Sequence, residues 1–226
     1  MTPFLIILCA PSGAGKTSIA QRLVRTRKDV GFSISATTRA PRRGERNGRA
    51  YHFVSREKFE RLKQQHELLE CAQYAGEWYG TLKSEVRRLA DLGRHVLLDI
   101  EVQGAAQIRA QYPPPASVSI FVLPPSPRAL IQRLRRRESE SADSLVRRLE
   151  RAVSELREAP AFDYIVVNDK LVTAAGTVGK IIDAEQRRTE RRHDLKERLE
   201  TLSHALEADA AALKTRLPKA KPLQKV

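Results

Sequence analysis

The sequence predicts an α/β fold, a parallel sheet flanked by helices, and three observations carry that prediction. The first is a set of uninterrupted apolar runs of strand length: Phe4-Leu-Ile-Ile-Leu-Cys-Ala10, His95-Val-Leu-Leu-Asp-Ile100, Val118-Ser-Ile-Phe-Val-Leu123 and Tyr164-Ile-Val-Val-Asn168. Runs that do not alternate with polar residues belong to strands covered on both faces, the habit of parallel sheets in α/β proteins. The second is the passage from the first run through Gly13 and Gly15 into the helical pattern Ser18 to Arg27, which reads strand, tight turn, helix. The third is a length of 226 residues with 41% hydrophobic content. That is enough for one substantial core with lobes attached, and too apolar for a disordered chain.

Taken in order, the core is expected in three pieces, residues 1–32, 84–126 and 156–186. The polar stretch between the first helix and the second core strand, residues 33–83, is dense in Arg, Gly, Tyr and Glu. It is too long for a loop and reads as a small, mainly-β lobe of its own. Residues 127–155 include a basic helical stretch interrupted by Ser-Glu-Ser-Ala-Asp, the composition of a mostly solvated helical hairpin. Pro113-Pro114-Pro115 marks a loop. Residues 187–226 read as a charged C-terminal helix followed by a mobile basic tail. Leu195, Leu199, Leu202 and Leu206, spaced 4, 3 and 4, make that helix amphipathic, resting on the core or on a second copy of the chain.

Composition narrows the ligands. The 41 basic residues against 27 acidic ones leave a net charge of +14, which suits nucleotides, nucleic acid or an acidic membrane surface. Cys9 and Cys71 lie far apart and the five histidines follow no metal-ligand spacing, so neither a disulfide framework nor a zinc site is expected. A reduced, cytoplasmic setting fits. The N-terminal apolar run has no basic region before it and is too short to cross a bilayer, so it reads as a buried strand and no membrane contact is expected.

The stretch Ala10-Pro-Ser-Gly-Ala-Gly-Lys-Thr17 follows the phosphate-loop pattern except that alanine replaces its first glycine. Such a loop needs glycines because successive backbone N–H groups converge on phosphate oxygens, and lysine to neutralise them. Gly13, Gly15 and Lys16 meet that need, and Thr17 offers a hydroxyl to Mg²⁺. The candidate site for the donor phosphates is therefore Ala10, Pro11, Ser12, Gly13, Ala14, Gly15, Lys16, Thr17 and Ser18. The string is weak alone, but a strand before it and a helix after it are the surroundings it requires. Asp99, closing an apolar run, reads as the strand-end carboxylate that orients Mg²⁺, directly or through water. These features point to a nucleoside triphosphate and do not separate a kinase from a GTPase or an ATPase motor.

The inserted lobe separates them. Arg39 and Arg42 stand three apart in a proline-bearing segment after Ser33-Ile-Ser-Ala-Thr-Thr, and Tyr51 and Tyr79 follow. Arginine forks with tyrosine hydroxyls form a cup for a second phosphate, one carried by the acceptor. Guanine presents N1–H and its amino group as donors on one edge, which Glu70 with a nearby Thr81 hydroxyl can recognise. Adenine would leave a buried Glu70 unpaired, at about 1–3 kcal/mol.

Six motifs in order, APSGAGKTS, SISATTRAPRRGE, YHFVS, GEWYGT, LLDIEVQGA and IVVND, resemble the guanylate kinases over Leu5 to Asp194. The resemblance implies a P-loop core, a GMP-binding lobe and a helical lid, with Mg²⁺-dependent phosphoryl transfer from ATP to GMP. It implies that Ser35, Arg39, Arg42, Tyr51 and Tyr79 hold the GMP phosphate, and that Glu70 and Thr81 read the guanine. It puts Asp99 with the magnesium and phosphates, Glu101 near the guanine where the family often has Asp, and Asn168 near the adenine of ATP. Lys16, Arg133, Arg137 and Arg148 become the catalytic cations. Here Arg135-Arg136-Arg137-Glu138 replaces the family's frequent Arg-Gly-Arg-Gly run.

Three other readings are weaker. A catalytically inactive binding module of this family would tend to lose the loop lysine or the lid arginines, and Lys16, Thr17 and Asp99 are all present. Glu70 and Thr81 argue against a related kinase with another phosphorylated acceptor. A specific nucleic-acid binder is not expected, because aromatic residues make up only 5% and much of the charge sits in the hairpin and tail.

Overall fold

The computed structural model describes residues 2–135, 142–192 and 194–216. The first part of the chain runs β1 (Leu5–Cys9), α1 (Lys16–Thr26), β2 (Val30–Phe32), β3 (Ala36–Thr37), β4 (His52–Phe53), α2 (Arg56–Gln64), β5 (Leu68–Tyr74), β6 (Glu77–Leu82) and α3 (Lys83–Asp91). The second part runs β7 (His95–Asp99), α4 (Val102–Gln111), β8 (Ser117–Leu123), α5 (Pro127–Arg135), α6 (Ala142–Arg157), β9 (Tyr164–Val167), α7 (Leu171–Glu185) and α8 (Leu195–Arg216).

Five strands form one sheet in the order β2-β7-β1-β8-β9, every neighbouring pair parallel. Successive side chains of a strand point to opposite faces, and both faces are covered. Ile6 and Leu8 join Leu97, Ile120 and Val122 in a layer with Ile19 and Leu23 of α1 and Val178 and Ile182 of α7. Leu5, Ile7 and Cys9 join Val96, Leu98 and Phe121 against Leu89 of α3 and Ala105 and Ile108 of α4. Every residue of β1 is buried, which is why its sequence shows no polar alternation. The helix after the loop starts at Lys16 rather than Ser18, so Lys16 and Thr17 sit on its first turn.

Residues between β2 and α3 build a second, four-stranded sheet in the order β4-β3-β6-β5. It is mixed: β3 and β4 are parallel, while β6 runs antiparallel to β3 and β5. This lobe is not purely β. Ser55 Oγ accepts the Lys58 N–H at 3.2 Å and starts α2, whose Phe59 is buried and stacks on Trp78 with ring centroids 6.0 Å apart.

The hairpin of α5 and α6 has a small core of its own, Leu130, Leu134 and Ala152 with Leu145 and Leu149 beside them, and so is less solvated than its composition suggests. Arg137 and most of the interrupting Ser-Glu-Ser-Ala-Asp segment lie outside the described residues, as does the tail from 217 onward. The C-terminal helix does not rest its leucine stripe on the core: Leu199, Leu202, Leu206 and Leu213 are 52–69% exposed. Among the described residues, no helix is long and apolar enough to cross a membrane.

Candidate nucleotide-binding and active site

Because β1 and β7 are neighbours in parallel register, Leu8 lies opposite Asp99, and the loop leaving β1 meets the acid that ends β7. Ala14 N–H donates to Pro11 O at 3.0 Å and closes the loop. Gly13 and Gly15 hold φ of +87° and +93°, where a side chain would be strained. Ala10 has no such requirement: its φ lies outside the left-handed region and its methyl group belongs to the core. That explains physically why alanine serves where the pattern asks for glycine.

Lys16 Nζ donates to Ile100 O at 2.6 Å and lies 3.0 Å from Asp99 Oδ1 and 3.9 Å from Glu101 Oε1. Burial opposes its charge, but the Asp99 and Glu101 carboxylates outweigh burial and hold the ammonium above its ordinary pKa. Thr17 Oγ1 donates to Asp99 Oδ2 at 2.8 Å. Two adjacent oxygens on a threonine and an aspartate fit an ion that keeps most of its coordination for phosphate and water, as Mg²⁺ does. Among the described residues no cluster of three or more His, Cys, Asp or Glu could hold a metal unaided.

The loop is gripped from outside. Asn168 Nδ2 donates to Ala14 O at 2.7 Å, and Arg133 donates to Ala14 O at 3.2 Å and Asn168 O at 3.1 Å. A Cβ on Gly15 would collide with that amide. Asn168 is 5% exposed and acts here as a prop beneath the loop. Arg148 donates to Ser12 Oγ at 3.2 Å, and Glu155 Oε2 accepts the Ser12 N–H at 3.0 Å. Glu155 was not legible in the sequence; its only signal is helical spacing from Arg148.

Across a cleft of about 1140 Å³, Ser35, Arg39, Arg42, Tyr51 and Tyr79 face the loop from the second lobe. Arg39 Nη2 meets Glu45 Oε1 and Oε2 at 3.0 and 2.9 Å, and Glu45 also accepts the Arg42 N–H at 2.7 Å. Glu45 is a second residue that sequence reasoning missed, although it stands within the arginine motif. The Arg39 guanidinium carbon sits 5.4 Å from the centre of the Tyr51 ring, and Tyr51 meets Tyr79 edge-on at 5.8 Å.

Glu70 and Thr81 face each other on β5 and β6. Thr81 Oγ1 donates to Glu70 Oε1 at 2.7 Å, and both residues are buried. Burial pushes the Glu70 carboxyl up to about 7, against the lowering effect of the Thr81 hydrogen bonds. Gly104 on α4 makes room for it, since a Cβ there would lie only 2.9 Å from Glu70 Cδ. Glu101, expected near the guanine, faces Lys16 and interacts with both Glu70 and Glu155. The structure thus brings every described residue of the sequence-derived set to this cleft or its supports.

A phosphate loop at the carboxyl ends of parallel strands, facing a second, arginine-bearing lobe across one cleft, defines a P-loop nucleotide-binding protein. Residues 3–185 match the sequence profile described as Guanylate kinase, and the chain belongs to the guanylate kinase family. It is 46% identical over 185 residues to the guanylate kinase of Nitrosospira multiformis, covering 82% of this chain and 87% of that one. It is 43% identical over 188 residues to that of Desulfitobacterium hafniense, covering 83% and 93%. The crystal structure of guanylate kinase from Anaplasma phagocytophilum superposes with a TM-score of 0.73 at 34% identity, covering 88% of this chain and 95% of that one.

Proposed function

We propose that the protein is an active guanylate kinase, transferring the γ-phosphoryl group of ATP to GMP, and to dGMP, to give ADP and the nucleoside diphosphate. The observation that carries this is the buried Glu70–Thr81 pair across the cleft from an intact Lys16, Thr17 and Asp99. One half recognises guanine and the other holds a triphosphate. The complete loop disfavours an inactive binding module, and the buried carboxylate disfavours a sugar-phosphate acceptor. GMP recycling in purine nucleotide metabolism, in the cytoplasm, is the corresponding role.

Residues 1–32, 84–126 and 156–186 would serve as the ATP-binding core, 33–83 as the GMP lobe, 127–155 as the lid, and 187–226 as a C-terminal appendage. In this reading the loop N–H groups and Lys16 hold the donor phosphates, and Ser35, Arg39, Arg42, Tyr51 and Tyr79 hold the acceptor phosphate. Thr17 and Asp99 would hold Mg²⁺, which when bound would neutralise phosphate charge. Arg133, Arg137 and Arg148 supply positive charge to the transferring group from the lid. No general base is required, because the acceptor is already a phosphate oxygen. Closure of lobe and lid excludes water, which would otherwise take the phosphoryl group. The exposed leucine stripe of α8 suits pairing with a second copy, and sedimentation of full-length and 1–194 protein tests that separately.

A coupled ADP-release assay with Mg·ATP and each of GMP, AMP, CMP and UMP tests the activity. Turnover with GMP far above the other three is expected. No release with GMP, or equal rates with AMP, would overturn the reading.

A further inference from the structure

We propose that Glu155 is a positioning residue for the phosphate loop, through which helix α6 holds Ser12 in the conformation that binds ATP phosphates. The inference rests on the ATP-binding reading of the loop. Arg148 and Glu155 are seven residues apart, about two helical turns, so they share one face of α6. Both end on the same residue: Ser12 Oγ accepts from Arg148, and Ser12 N–H donates to Glu155.

Glu155 is 3% exposed, and a buried carboxylate is costly unless its oxygens are engaged. Its engagement is specific. One oxygen takes the loop amide, and the carboxyl also meets the Glu101 side chain, with Lys16 nearby. Burial first and the Glu101 charge second push the Glu155 carboxyl up to about 7.

Location gives the contact its consequence. Ser12 immediately precedes Gly13, which has a φ of +87°, and Ala14, whose carbonyl is held by Asn168 and by Arg133 of α5. The two lid helices therefore grip the loop two residues apart, α6 at Ser12 and α5 at Ala14. Loop N–H groups bind phosphate only while they converge. Releasing the Ser12 grip frees the first glycine of that arc while leaving the acceptor lobe untouched.

The test compares Glu155→Ala, Glu155→Gln and Glu155→Asp in steady-state kinetics with both substrates, alongside calorimetric titration of each protein with a non-hydrolysable ATP analogue. Gln keeps an oxygen that accepts the Ser12 N–H; Asp keeps the charge but is one methylene too short. The expected result is a KM for ATP and an analogue Kd about 10-fold higher in Ala and Asp, with KM for GMP within about twofold of wild type, and Gln restored to within about threefold. Unchanged analogue affinity in Ala and Asp would overturn the proposal, as would equal effects on both substrates or a Gln variant as impaired as Ala. A lower KM for ATP in Ala would overturn it too, by showing that the carboxylate competes with phosphate for the amide. If Glu155→Ala does not fold, the contrast between Gln and Asp decides. Wild-type protein that binds no analogue would instead refute the ATP-binding reading itself.

Discussion

A methyl group added at Gly104 probes the acceptor-base contact without touching the phosphate loop. Gly104 lies inside α4 with ordinary helical φ, so alanine there gains up to about 1 kcal/mol in intrinsic helix propensity. Against that, its Cβ falls inside contact distance of Glu70 Oε2 and 2.9 Å from Cδ, and the carboxylate must turn away. Turning breaks the 2.7 Å bond from Thr81 Oγ1, an interaction with a charged or partly charged acceptor worth about 1.5–3 kcal/mol. The net cost to the fold is on the order of 1 kcal/mol, a shift of a few degrees in Tm. The cost to guanine recognition is larger, because the carboxylate leaves the position facing the cleft. Losing about 2 kcal/mol there raises KM for GMP about 30-fold. Steady-state kinetics on Gly104→Ala should show that rise with KM for ATP within about twofold of wild type and a cooperative melt. A wild-type KM for GMP in a folded variant would refute the assignment of Glu70 to the acceptor base, and parallel rises for both substrates would show a general distortion instead.

Lys16→Ala should lower kcat by about 100-fold or more while moving GMP affinity only severalfold, because Lys16 faces the donor side beside Asp99 and Ile100 O; equilibrium GMP binding beside turnover measures the split. Stability should also depend on pH through Glu70. Its folded pKa is raised from its ordinary 4.5 to about 7, so the folded state holds the proton more tightly; stability falls as pH rises between those values and levels off outside them. The fall is on the order of 3 kcal/mol for this group, and Glu70→Gln should remove it. Urea unfolding of both proteins at pH 5 and pH 8 measures the difference, and an equal change in the two would sink the attribution.

What was legible in the sequence follows from how local each signal is. The core strands announce themselves because both faces of β1, β7 and β8 are buried, leaving long apolar runs. The edge strand β2 is only three residues, below the length at which periodicity speaks, and α2 shows a single buried residue, Phe59, among charged neighbours. The loop from Ala10 to Thr17 is legible because its chemistry is contiguous. How its supports hold it is not: Asn168, named by the motif, reaches Ala14 across 154 positions, and Glu155, which the sequence did not single out, reaches Ser12 across 143. A buried amide or carboxylate in a helix or after a strand looks in sequence like any polar surface residue until the fold brings its partner. For the same reason the motif placed Glu101 by family likeness near a base but did not show that its carboxylate also faces the loop lysine.

The electrostatics of the cleft tie these parts together. Around Lys16 the core supplies carboxylates, Asp99 and Glu101, with Glu155 reaching in from the hairpin; the guanidinium groups stand on the other elements, Arg39 and Arg42 in the inserted lobe and Arg133 and Arg148 in the hairpin. A core with this balance cannot by itself neutralise a triphosphate beside a monophosphate, since each added anion meets Asp99 and Glu101 as well as Lys16. Under the proposed kinase reading the compensating charge would come from the lobe and the hairpin, whose Arg133 and Arg148 already stand on the loop. Phosphoryl transfer relies on placed positive charge rather than on covalent groups, so under the proposed kinase reading catalysis would draw on the core, the inserted lobe and the hairpin together.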